Sequence, residues 1–208
     1  MLELKNSGLP LFIDETNHVM AISALLQYDG FGRKKTKDML GLLADETDLM
    51  PEEAFYDVYR GIAFPEDQEA LKKKDFRYDI TIIMPGLVNG ECKKTSGHYH
   101  GWNPMRTNTY AEVYEVIKGT ALYILQKSPN FDAENPADVV VEDLILATVH
   151  EGETILIPPN YGHCSINIGE GPLVFSNLAY VPCPVHYGPV KYFHGMSYYV
   201  TKEDGEIK

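Results

Sequence analysis

The sequence predicts an all-β chain: an antiparallel barrel of about eight short strands, preceded by an N-terminal arm of mixed α and β character. Three observations carry this. From Tyr78 onward, runs rich in Ile, Val, Tyr and Leu follow one another: YDITIIMPG, EVYEVIKG, ALYILQK, DLILATV, TILIPP, CSINIG, LVFSNLAYV and KYFHGMSYYV. Gly, Pro or Asn punctuates most of them, as turns between short strands require. Before Tyr78 the texture differs, with short apolar runs set among charge-rich stretches. So many strands in so short a stretch argue for a sandwich or barrel.

Taken in order, residues 1–78 form the arm, with helices and an edge strand, 79–200 the barrel and 201–208 a C-terminal tail. Within the arm, RKKTKDMLGLL (33–43) reads as a helix with Leu40 and Leu43 on one side. DLMPEEAFYDVYR (48–60) begins like a helix, with Pro51 near the first turn and Glu52 and Glu53 at its positive end. It then turns β-like through Tyr56, Val58 and Tyr59. EDQEALKKK (66–74) reads as a solvated helix or turn. An N-terminal segment of this kind could lie across a partner subunit and cover a sheet edge.

The bulk numbers narrow the function. At 208 residues and 44% hydrophobic, the chain can bury one sizeable core. Eighteen basic against 30 acidic residues leave a net charge of -12, a field that repels a phosphate backbone, so nucleic acid is not an expected partner. An anionic small substrate is repelled on average too and needs a few local donors. Cys92, Cys164 and Cys183 form no C-x-x-C pair, which fits free thiols in a reducing cytoplasm. No signal peptide and no membrane span are read from the sequence.

Chemistry concentrates in two stretches. His98 and His100 are spaced i, i+2, which in a strand projects both side chains from one face. A lone histidine is more often a surface or core residue than a ligand. Two imidazoles converging on one face are different, because a metal ion relieves their crowding and desolvation. Downstream, Glu112 shares a face with Tyr114, and Glu115 points the other way. Later, GETILIPPNYGHCSIN places Gly152, Pro158, Asn160, His163 and Asn167 at regular intervals.

These residues resemble the two motifs of the cupin superfamily. The first, His-x-His followed by Glu-(x6)-Gly, matches His98-Tyr99-His100 and Glu112 to Gly119; the second matches Gly152, Pro158, His163 and Asn167 in register. Asn160 stands where the second motif has its other glycine, a substitution that keeps a left-handed turn feasible. The resemblance implies a double-stranded β-helix (jelly-roll) barrel and one divalent ion on His98, His100, Glu112 and His163. Three imidazoles and a carboxylate without a thiolate suit Fe(II) or Mn(II) first, then Ni(II), Co(II) or Zn(II). Cys164, next to His163, should face the opposite way.

The surroundings narrow the likeness. PG-(x11)-GHYH, EVYEV, IPPNYGHCSINIG and NLAYVPCPVHYG together look like the archaeal-type, cupin phosphoglucose isomerases, over about Thr81 to Pro189. That family implies interconversion of glucose 6-phosphate and fructose 6-phosphate by a homodimer. It implies catalytic roles for Glu112, Tyr180 and His186, and substrate contacts from Tyr59, Thr81, Thr95, Gly97 and Tyr114. Thr81, Thr95 and the Gly97 N–H are short donors suited to a phosphate, with Lys93 and Lys94 as nearby charge or a solvated face. Trp102 would pack or rim the pocket. Such an enzyme moves hydrogen between C1 and C2, with Glu112 as general base or by a direct hydride shift. Three other readings use the same residues: an isomerase or epimerase of another sugar phosphate, an Fe(II)-dependent cupin dioxygenase, and a non-catalytic sugar-binding cupin.

Overall fold

The computed structural model describes residues 1–208 and is built mostly of antiparallel strands. Six strands make the larger sheet, in the order Thr154–Ile157, Glu112–Lys118, Leu173–Tyr180, Phe76–Ile83, Ala54–Arg60 and Gly30–Lys35. Asp143–His150, Thr120–Lys127 and Tyr161–Asn167 make a smaller sheet. Residues Lys93 to His98 extend it, bridging Lys94 to Ile166 and His98 to His163. The sheets face one another: Tyr123 of the smaller packs edge-on against Tyr114 and Phe175 of the larger, ring centroids 5.6 and 6.4 Å away. This is the jelly-roll barrel that the cupin likeness implied.

Strand alternation decides what enters the barrel. Along Glu112–Lys118, Glu112, Tyr114 and Val116 are buried, while Val113 is exposed. The period of two puts one set inside and the other out.

The arm departs from its sequence reading. The stretch read as a helix, 33–43, is instead the end of the strand Gly30–Lys35 followed by a 3-10 turn over Thr36–Met39. Cross-strand pairing overrides helix propensity here. Arg33 lies opposite Asp57 and grips its buried carboxylate through Nε and Nη2, both at 2.7 Å. Residues 48–53 are turn rather than helix, and Ala54–Arg60 is a strand. The helix Pro65–Lys72 opens on Pro65 with Glu66 and Asp67 in its first turn, where they face the positive end of the backbone dipole.

Residue 78, drawn as the end of the arm, lies inside the strand Phe76–Ile83, and the larger sheet takes two further strands from before it. The first 28 residues cover the outer face of that same sheet. Leu4, Leu11, Ile13, Met20 and Leu26 bury against Tyr59, Ile62, Ile80, Ile82, Ile117 and Val174. Each such aliphatic side chain contributes roughly 1.5–3 kcal/mol when removed from water, so the cover is firmly held.

Candidate metal centre and cleft

His98 and His163 sit directly opposite on neighbouring strands and exchange both backbone hydrogen bonds, His98 N–H to His163 O at 3.1 Å and the reverse at 2.9 Å. This pairing sets their rings edge to face with centroids 4.5 Å apart. His100, two residues on, turns to the same side, and Tyr99 between them turns the other way. The Tyr99 ring stacks on Phe131 at 5.2 Å, and its hydroxyl bonds Ser128 Oγ at 2.9 Å. Gly162 is needed for this: a Cβ there would lie 2.7 Å from the Tyr99 ring.

Glu112 completes the group from the opposite sheet. His98 Nε2 lies 3.2 Å from His100 Nε2. Glu112 Oε2 lies 3.3 Å from His100 Nε2 and 3.6 Å from His163 Nε2. All four donor atoms fall within 4.8 Å of one another. Two ligands held at right angles roughly 2.1 Å from one ion would be about 3 Å apart, so these four residues could hold a metal ion. His100 Nδ1 bonds the Tyr110 carbonyl at 2.9 Å, which leaves the Nε2 lone pair turned inward, as a metal-ligating histidine requires.

The protonation pattern fits the same use. Burial pushes His98 down to about 4 and His163 well below the ordinary imidazole value, each helped by the neighbouring imidazoles. Both are neutral at pH 7, the form that binds metal. Burial also pulls on His100, but the hydrogen bond and charge of Glu112 outweigh it and raise the net value. Burial would raise Glu112, yet His100 holds it below the usual carboxylate range. Both oxygens of Glu112 are engaged: Tyr114 Oη donates to Oε2 at 2.9 Å and Asn177 Nδ2 to Oε1 at 2.7 Å.

A cleft of about 220 Å³ opens beside this group. One water needs only roughly 10–15 Å³, so a small polar molecule has room. Among its walls are Thr81, Thr95, Gly97, Tyr114 and Tyr180. Gly97 sits at φ 75°, and a Cβ there would press on Met196 at 3.1 Å.

Two residues expected in the cleft are elsewhere. Tyr59 faces the other side of its strand, because Tyr56, Val58 and Arg60 take the inner positions. It packs on Phe31 at 4.9 Å and accepts a hydrogen bond from the Met20 N–H at 3.3 Å. His186 pairs with Tyr99 across a two-residue ladder and lays its ring edge against Phe131 at 5.2 Å. Its neighbours Val185 and Tyr187 face the cleft instead, the Tyr187 ring 5.6 Å from His98. Lys93 and Lys94 are neither cleft charges nor a solvated face; both are buried, paired with Glu53 and Glu91. Cys164 does face away, its Sγ donating to the Thr95 carbonyl at 3.1 Å. Trp102 packs on Phe131 and bonds Asp132, outside the cleft. Asn177, Arg60, Arg77 and Asp79 line the cleft without having been singled out in the sequence. Arg77 and Asp79 were within reach, since a period of two from Thr81 leads to both.

Comparison with known proteins finds a family match and several likenesses. The family model "Glucose-6-phosphate isomerase (GPI)" matches residues 33–208. A glucose-6-phosphate isomerase of Thermococcus kodakarensis is 30% identical over 179 residues, 84% of this chain and 82% of that protein. One of Pyrococcus furiosus is 29% identical over 180 residues, with the same coverage. Among solved structures, an oxalate oxidase is similar at TM-score 0.45 and 16% identity, over 71% of this chain and 61% of that one. A vicilin from Solanum melongena is similar at TM-score 0.41 and 16% identity, over 63% and 30%. No helix of the chain is long and apolar enough to cross a membrane. By the extent of the family match, the chain belongs to the glucose-6-phosphate isomerase family, in its cupin form.

Proposed function

We propose that this protein interconverts glucose 6-phosphate and fructose 6-phosphate with a divalent metal ion held by His98, His100, Glu112 and His163. The observation that carries the reading is the convergence of three neutral-capable imidazoles and one carboxylate at the wall of a polar cleft. Fe(II) is the preferred ion, with Mn(II), Ni(II), Co(II) or Zn(II) as substitutes, because the donors are nitrogen and oxygen only. Bound there, such an ion would polarise the oxygens on the sugar's C1 and C2.

The chain's own groups do the rest. Glu112 takes the proton from one carbon and returns it to the other. Tyr114, whose hydroxyl lies 2.9 Å from both Glu112 Oε2 and His163 Nε2, fixes the carboxylate's direction. Tyr180 moves a proton between the sugar oxygens, and Thr81, Thr95 and the Gly97 N–H bind the remaining hydroxyls and the phosphate. His186 acts through the ladder that positions His100, since its ring points away from the cleft.

A homodimer in the cytoplasm is part of the same reading. Leu156, Val113 and Leu178 lie side by side across three strands on the outer face, and all three are exposed, an apolar row suited to self-association. The mass in solution decides it. Three cysteines without a disulfide fit a reducing compartment.

The test is an isomerase assay without oxygen. Protein stripped by chelator and refilled with Fe(II) or Mn(II) should convert fructose 6-phosphate to glucose 6-phosphate, and stripped protein should not. Inactivity with every metal, together with substrate-dependent oxygen uptake, would replace this reading with an oxygenase.

A further inference from the structure

We propose that Lys93 and Lys94 are positioning residues for the metal centre, clamping the segment 93–98 from both faces and so fixing a one-residue bulge at Gly97 that turns His98 toward the other ligands. Only the metal used as a probe rests on the reading above. The bulge follows from the pairing. Lys94 lies opposite Ile166 and His98 opposite His163, so four steps along one strand match three along the other. The extra residue falls where Gly97 holds φ 75°, the left-handed conformation that such bulges use and that glycine adopts without strain. In an unbroken strand Lys94 and His98, four apart, would share a face. Here Lys94 shares a face with Ile166 and His98 with His163, and those two partners, three apart on a regular strand, face opposite ways.

The lysines hold the pairing on the upstream side of the bulge. Backbone bonds there run from the Asn167 N–H to the Lys93 carbonyl and from the Thr95 N–H to the Ser165 carbonyl, both at 2.9 Å. Bonds of this kind form in any register, so the side chains must choose one. Lys93 sets its ammonium 5.8 Å from the Phe55 ring and ends on Glu53. Lys94, turned the other way, sits 4.6 Å from the Tyr199 ring and ends on Glu91. Glu91 in turn accepts the Ala44 N–H at 2.8 Å, so this side ties the segment to the arm and to the C-terminal residues.

A slip of one residue would remove the bulge and exchange the two faces, carrying each ammonium away from its carboxylate. Both lysines and Glu91 are buried, and a buried charge parted from its partner is strongly disfavoured. An apolar side chain would accept either face. The charges therefore act on register more than on stability, since a buried ion pair is a weak source of the latter.

The experiment compares K93M, K94M/E91Q and the triple variant with the wild type and with K73Q/E69Q, an exposed pair elsewhere. Mn(II) affinity of the folded protein, measured by calorimetry, should fall about tenfold in K93M and in K94M/E91Q and further in the triple variant. Amide exchange at His98 and His163, taken relative to that at Ile80 in the larger sheet, should quicken about tenfold. K73Q/E69Q should match the wild type in both. K93M carries the test if K94M/E91Q folds poorly, because Glu53 is half-exposed and its charge is not left buried. Urea unfolding, run alongside, separates stability from position. Variants that bind Mn(II) and protect these two amides as the wild type does, whether or not they lose stability, would overturn the proposal. A wild type that binds no Mn(II) would sink the metal-centre reading, and relative amide exchange would then decide the proposal alone.

Discussion

At the scale of single residues, Glu112 carries two demands that pull against each other. A carboxylate that is hydrogen-bonded at both oxygens and held below the usual range is a poor base. Proton transfer therefore needs one of those partners to release when the substrate enters. Glu112→Gln keeps the shape and removes the charge, and turnover should fall by at least ~10²-fold, the scale of a lost acid/base group. Isomerisation in deuterated water should label the product at C1 or C2. Full activity in the variant, with no label, would give the reaction to a hydride shift. His100 sets a second expectation. Against the pull of burial, the hydrogen bond and charge of Glu112 raise its value in the metal-free protein, whereas burial lowers His98, to about 4, and His163. Metal binding must displace the proton that this raised value favours, and affinity should weaken as pH falls, by up to about tenfold per unit. Calorimetric affinities that stay flat between pH 5.5 and 7.5 would contradict this.

At the scale of elements, turns and alternation place the site. Asn160 holds φ 72° between the strands Thr154–Ile157 and Tyr161–Asn167, and it is tied to Thr109 in both directions. The Asn160 N–H donates to Thr109 Oγ1 at 2.6 Å, and the Thr109 N–H donates to Asn160 Oδ1 at 3.1 Å. Asn160→Ala keeps the left-handed strain and loses the side-chain bond, so it should cost roughly 1–2 kcal/mol in urea unfolding. Asn160→Gly relieves the strain and should cost less than Asn160→Ala. Equal stability of all three would mean that the turn is not under strain. What the sequence made legible here was local. The pairs His98/His100 and Glu112/Tyr114 follow from a period of two, and the left-handed Asn160 follows from its place in the motif. What it hid was register. Tyr59 and Tyr56 are both tyrosines of one strand, and only the pairing of Val58 with Thr81 decides which faces the cleft. His186 and Tyr187 differ in the same way, by one residue against His100 and Tyr99.

At the scale of the whole molecule, the arm and the barrel divide the work differently from their sequence textures. The charge-rich N-terminal part reads as a separate appendage, yet two of its strands complete the larger sheet and its first 28 residues cover that sheet's outer face. Those long-range pairings leave no local signature, because Arg33 against Asp57 is visible only once the strands are laid side by side. The barrel that results brings His98 and His100, from the extended segment beside the smaller sheet, and His163 of that sheet against Glu112 of the larger, four groups spread over 66 positions of the chain. Anomalous diffraction from crystals of the Fe(II)- or Mn(II)-loaded protein tests that convergence most directly. One strong peak should appear at roughly 2–2.3 Å from the three imidazole nitrogens and the Glu112 carboxylate. A peak elsewhere, or none between these four residues, would contradict it.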